Sequence, residues 1–315
     1  MTQPITTITD ESITARLENL PTSPVGVRSY HAANHDPLHF LAVKRNGSLS
    51  EIADPGIRMV GGMEVEVDTQ RVKRSRLPRF SETRRFDRMY KEYAEFLARY
   101  VRDIMGGKGL RDVEHDGSVK GFEIITEPAT LAAACYGLPW DELCKFLDYA
   151  GCRAHDGEQT GIHVHISRAS LGMDENARDM CIAKILVLMD RFENQLTKFA
   201  RREWATEYYC QKNSFIARGE KSSKKMVKKF KDTEKNVRNR YRALNLTNAN
   251  TIEFRIFKST LSPLSIRAIY QLCFTLAEYA KTHTTPEIQE ATWSDLVDTC
   301  KLPELKEYCT QRGIA

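Results

Sequence analysis

The chain has 315 residues, 41% of them hydrophobic and 28% charged, enough to bury a sizeable core as one large domain or two small ones. No stretch approaches the roughly 18 to 20 apolar residues of a membrane-spanning helix, the best candidate being Ile182 to Met189, and Met1 to Thr14 lacks the basic flank and apolar stretch of a secretory signal, so a cytoplasmic location is expected. The net charge of +5 is modest but clustered in Arg71 to Lys91 and in Lys221 to Arg242, the latter with ten Lys or Arg against only Asp232 and Glu234, which points to a negatively charged ligand, phosphate first.

Residues 1–35 carry turn formers without strong periodicity and read as a loose N-terminal arm. Short segments rich in β-branched and aromatic residues then predict strands at Leu38 to Val43, Arg58 to Val67, Lys120 to Thr126, Ile162 to Ser167, Ala243 to Thr247 and Thr251 to Phe257. Apolar spacings of three and four predict a helix over Ser81 to Met105. A second, behind an Asp174 N-cap, runs to Arg201 with a stripe of Met180, Ile185, Leu188, Met189, Phe192, Leu196 and Phe199. Pro263 opens a third to about His283, and two short helices, Trp293 to Lys301 and Pro303 to Arg312, close the chain. The mixed order predicts an α+β fold, with one domain over residues 36–315 and residues 221–242 as a basic helical insert. The eight cysteines are scattered with no C-x-x-C pair and read as reduced, packed thiols.

Four segments carry the chemistry. In Gly62-Met63-Glu64-Val65-Glu66-Val67, two carboxylates two residues apart share one strand face. Side by side they repel unless a cation sits between them, and oxygen ligation suits magnesium or manganese; the competing reading is a solvated face of an edge strand. In Gly161-Ile162-His163-Val164-His165-Ile166-Ser167, the histidines share one face and the β-branched residues the other. That pair suits zinc, or one metal ligand beside one phosphate contact, or an exposed strand face. Asp116-Gly117-Ser118 is a turn that leads into a strand with Glu123 near its start. Last, Arg240-Tyr241-Arg242-Ala243-Leu244-Asn245 precedes Thr251-Ile252-Glu253-Phe254-Arg255, where Glu253 and Arg255 are either a plain salt bridge or a metal ligand beside a phosphate clamp.

Each fragment is weak alone, but their order along the chain is specific. It resembles the glutamine synthetase and glutamate–cysteine ligase superfamily, and more closely its amidoligase branch, over about residues 58–260. The resemblance implies a curled antiparallel sheet of about six strands, with helices on its outer face and with ATP and Mg2+ or Mn2+ on its concave face. It implies that Glu64 and Glu66 belong to different metal centres, with His163 and Glu253 joining one and Glu123 the other. His165 and Arg255 would contact ATP phosphates, Arg242 would be a further phosphate or acyl-phosphate contact, and Asp116, Ser118 and Asn245 would lie near the substrate. Asp116, Arg242 and Arg255 make up the implied catalytic set. Only Glu123 matches the middle motif, for which glutamine synthetase supplies more than one glutamate; Glu127 before Pro128 is the reserve.

The activity implied is ATP-dependent joining of a carboxylate to an amine through an acyl phosphate, the two groups coming from an amino acid, a peptide or a protein. The alternative is a nucleic-acid-binding protein or metal-dependent nuclease whose basic runs grip a backbone; it matches the ordered motifs less well. On the ligase reading, the stripe Met226, Phe230, Val237 and Tyr241 makes Lys221 to Arg242 an amphipathic flap expected to cover the active site when ATP is bound.

Overall fold

The computed structural model describes residues 8–18, 40–43, 49–52, 58–71, 97–105, 109–115, 119–154, 160–202, 211–213, 219–234 and 240–314. In chain order the elements are α1 (Asp10–Glu18), β1 (Phe40–Val43), β2 (Leu49–Ile52), β3 (Val60–Asp68), α2 (residues 97–105), β4 (Leu110–Glu114), β5 (Gly121–Thr126), β6 (Ala129–Thr130), α3 (Trp140–Ala150), β7 (Gly161–Ser167), α4 (Glu175–Arg191), α5 (Glu193–Ala200), α6 (Ser223–Glu234), β8 (Leu244–Asn245), β9 (Thr251–Lys258), α7 (Pro263–Thr282), α8 (Thr285–Glu290), α9 (Trp293–Thr299) and α10 (Pro303–Gln311).

The strands form one sheet in the order β2-β1-β6-β3-β7-β9-β8, with β5 also on β3 and β4 on β5. β6 meets β3 at Val60 and Gly61 and β5 meets it from Glu64 to Asp68. Every pairing is antiparallel except that of β1 with β6. The expected α+β class and helix-backed sheet are present, but the sheet is mixed and open rather than curled, and the described residues give it nine strands rather than about six. The added strands β2, β4 and β6 are four, five and two residues long, too short for alternation to stand out in sequence.

Alternation divides the sheet into two faces. Met63, Val65 and Val67 of β3 and Ile162, Val164 and Ile166 of β7 are buried on one of them. Helix α7 lies on that face: Tyr270 Oη donates to the Gly61 carbonyl at 3.1 Å. Phe199 of α5 meets Phe257 of β9 edge-on at 6.1 Å. α7 starts where Pro263 follows the Ser262 cap, whose side chain accepts from Ser265 N at 3.3 Å. Asp174 caps α4 as expected, accepting from Ala177 N at 2.8 Å. The expected single helix to Arg201 breaks at Phe192 (φ −102°, ψ 26°), and its apolar stripe continues in α5, which ends at Arg201 in the left-handed region (φ 57°).

One expectation is corrected, and the packing of a second segment is placed. Residues 10–18 of the presumed loose arm form α1, held by Ile13, which is 1% exposed, and by Arg16, which pairs with Asp103 at 2.5 Å and with Glu142; a helix of nine residues leaves little periodicity to read. Helix α6 does not lie over the polar face. Met226 and Phe230 are 0% and 1% exposed and the helix packs on α4, behind the helical layer. Burying that pair needs apolar partners, which α4 offers and a face of carboxylates and imidazoles does not. Val237 lies outside the described residues, and Tyr241 lies beyond the helix. The seven described cysteines are free and Cys210 lies outside the described residues. No helix among the described residues is long and apolar enough to cross a membrane.

Candidate active site

Residues paired directly across an antiparallel ladder point to the same face. Glu66 pairs with Glu123, Glu64 with His163, Gly62 with His165, His165 with Glu253, and Glu253 with Asn245. Polar side chains from β5, β3, β7, β9 and β8 therefore gather on the face opposite α7. Glu66, Glu123, His163, Asn245 and Glu253 are buried there, while Glu64 and His165 each keep 18% of their side-chain exposure.

The contacts are close. Glu64 reaches His163 Nδ1 with Oε2 at 3.2 Å and His165 Nε2 with Oε1 at 3.1 Å. Glu253 Oε1 lies 3.7 Å from His163 Nδ1 and accepts from Arg255 Nη1. The second oxygen of Glu253 accepts from Asn245 Nδ2 at 2.6 Å and from Asn248 Nδ2 at 3.3 Å. Glu66 Oε1 lies 3.9 Å from His163 Nε2, and its Oε2 accepts from the Gly161 amide. Burial works against each charged form, but the neighbours win. The two histidines hold the Glu64 carboxyl well below the usual range. Against its own burial, His165 is pushed up to about 9 by Glu64 and Glu253. Glu253 is lowered in spite of burial by His165, Arg255 and His163.

Two sets of donor atoms each lie within 4.8 Å of one another: Glu64, His165 and Glu253, and Glu64, Glu123 and His163. They share Glu64. His163, which the resemblance groups with Glu253, lies 3.7 Å from it as well as standing in the set with Glu123, and His165, which the resemblance gives to phosphate, stands in the set with Glu253. His165 Nε2 is buried and has no hydrogen-bond partner, despite its 3.1 Å approach to Glu64, so the pair is close but poorly aligned for a hydrogen bond. Converging carboxylate oxygens, imidazole nitrogens and an orphaned buried ring nitrogen fit a divalent cation such as Mn2+ or Mg2+.

Arg255 belongs to this cluster, and its Nε is buried without a hydrogen-bond partner. Arg242 does not join it: its Nη1 donates to the Lys212 carbonyl at 2.9 Å. Asn245 holds Glu253 and accepts from Thr247 N at 2.9 Å. Asp116 and Ser118 lie outside the described residues. Glu127, the reserve carboxylate, pairs instead with Arg111 at 3.6 Å.

Three residues escaped the sequence reading, one of them Asn248 beside Glu253. Glu114 of β4 pairs directly with Glu123 and is 1% exposed, extending the polar row by one strand. The Asp-Gly turn between two short strands was its only signal. Arg202 had none. It follows α5, and its Nη1 stands 3.6 Å from where a Cβ on Gly161 would be, a position also 3.2 Å from His163 Nε2. The absent side chain at Gly161 thus leaves room for both groups.

Residues 50–277, which include every described member of this cluster, match the family described as "Putative amidoligase enzyme". The chain belongs to the amidoligase family. This amidoligase is therefore a ligase of the amide-forming kind in general terms. A solved structure of apo GmaS without ligand aligns with a TM-score of 0.41 at 13% identity, covering 81% of this chain and 68% of that one. No curated protein matches the chain.

Proposed function

We propose that this amidoligase joins a carboxylate to an amine with ATP, through an acyl phosphate, using Mg2+ or Mn2+ held by Glu64, Glu66, Glu123, His163, His165 and Glu253. The observation that carries the reading is the pair of donor sets that meet at Glu64 on a buried sheet face. A carboxylate oxygen is a poor leaving group, so one carboxylate oxygen first bonds to the γ-phosphorus as the bond from that phosphorus to the β-bridging oxygen breaks. The amine then attacks the acyl carbon and inorganic phosphate leaves, the amine proton passing to a base. Bound divalent cations supply positive charge at the phosphate oxygens.

The chain's own residues set the stage. Asn245 and Asn248 hold one oxygen of Glu253, so that the other faces His163 and Arg255. Arg255 keeps a buried, unsatisfied Nε–H for an anionic oxygen. Glu66, bonded to the Gly161 amide, ties β3 to the start of β7. The buried face limits water, which strengthens every charge contact within it.

The test is calorimetry of ATP binding with Mg2+, with Mn2+ and with neither, followed by hydroxylamine trapping over a panel of amino acids and peptides. Metal-dependent nucleotide binding and a hydroxamate are expected, and no nucleotide binding with either metal overturns the reading. Glu114→Gln, which removes the charge behind Glu123, is expected to weaken metal binding by about tenfold while leaving the melting temperature unchanged or higher. Unaltered metal affinity would make Glu114 structural.

A further inference from the structure

The basic face of α6 lies behind α4, on the helical side of the sheet and not over the polar row. From beneath, the helix is pinned by Met226 and Phe230 and by Lys231 Nζ, 3.1 Å from Asp179. Lys229 pairs with Glu220 at 3.7 Å. Lys224, Lys225 and Lys228 remain outward, exposed and without an ion pair among the described residues. Like charges spaced i, i+4 weaken a helix, and Asp232, four residues past Lys228, offsets only part of this set.

We propose that this face of α6 docks an acidic segment of a protein substrate, an inference that rests on the carboxylate–amine ligase reading. Three observations select that partner. The outward face carries charge and no large apolar residue, since Met226 and Phe230 both point inward and Val227 is half-buried; insertion into a lipid surface needs apolar side chains. Lys224 and Lys228 are about 6 Å apart along the helix axis, a spacing that an extended run of Asp and Glu, at about 3.3 to 3.6 Å per residue, matches with every second residue. The described chain resumes at exposed Arg240, within about 20 Å of the helix end by chain reach, and runs on to Asn245, which holds Glu253. A polypeptide laid along this path is both the complementary polyanion and a source of the carboxylate; a nucleic acid supplies only the charge.

The experiment compares labelled oligo-glutamate, a single-stranded oligonucleotide of equal charge and phosphatidylserine vesicles on the full chain and on the variant Lys224→Glu/Lys225→Glu/Lys228→Glu. Salt-sensitive oligo-glutamate binding is expected, weakened at least about tenfold in the variant, with the melting temperature and metal-dependent ATP binding unchanged. The Gln triple variant should fall between, which separates charge loss from charge reversal. Equal oligo-glutamate binding by wild type and variant, no such binding at all, or preference for the oligonucleotide or the vesicles each overturns the proposal. Loss of the ligase reading looks different: wild-type protein would then bind no nucleotide with either metal, whatever oligo-glutamate does.

Discussion

Glu64→Gln is expected to remove metal binding altogether, by at least about two orders of magnitude in affinity, because Glu64 is the one residue common to both donor sets. The substitution keeps the shape of the side chain and deletes its charge. Glu123→Gln and Glu253→Gln each touch a single set, so each should leave one class of Mn2+ binding in calorimetry or electron paramagnetic resonance. The pattern therefore reads the grouping directly. In the metal-free chain, His165 loses the largest influence that raises it, so its pKa should fall from about 9 towards the ordinary imidazole range, as an NMR titration would show. Stability supplied by that raised value is present below the unfolded pKa and lost as pH rises through the folded one, so the variant should lose stability most below about pH 6.5. Wild-type Mn2+ affinity in Glu64→Gln would show that neither donor set holds a metal.

Gly61→Ala is expected to damage the fold far more than its neighbour Gly62→Ala. A Cβ at Gly61 would stand 2.3 Å from the His165 carbonyl oxygen, 3.0 Å from Ile166 Cδ1 and 3.1 Å from Phe274 Cε2. The first of these is backbone, which no rotamer change relieves, and it belongs to the seam between β3 and β7 that carries Glu64, His163 and His165. A loss above about 3 kcal/mol is expected, a fall in melting temperature on the order of 10 °C for a chain of this size. At Gly62, on the polar face, the nearest atom to a Cβ is the Thr126 carbonyl oxygen at 3.5 Å, an ordinary contact. Gly62→Ala should therefore change stability by less than about 1 kcal/mol and act, if at all, on ligand affinity. Differential scanning calorimetry of the two variants decides it, and equal melting temperatures would show that the seam has room that the structure denies.

The alternation of β3, β7 and β9 is local, and it was enough to place Glu64 with Glu66, His163 with His165, and Glu253 on polar strand faces, because side-chain direction along a strand follows from residue spacing alone. The Asp174 cap and the Pro263 start were legible for the same reason: each is a contact within one turn of chain. Which further groups come within reach across the strands was not legible. It depends on the register of β7 against both neighbours and on an irregularity in its pairing with β9 between Ile162 and Val164, and a shift of one residue exchanges partners across a ladder. Glu114 was hidden because its strand is five residues long and matters only through its pairing with β5. The place of α6 was decided by tertiary packing as well: the spacing of Met226 and Phe230 marks a face to be buried, but only the apolar surface of α4 determines where that burial occurs and which lysines are left outside.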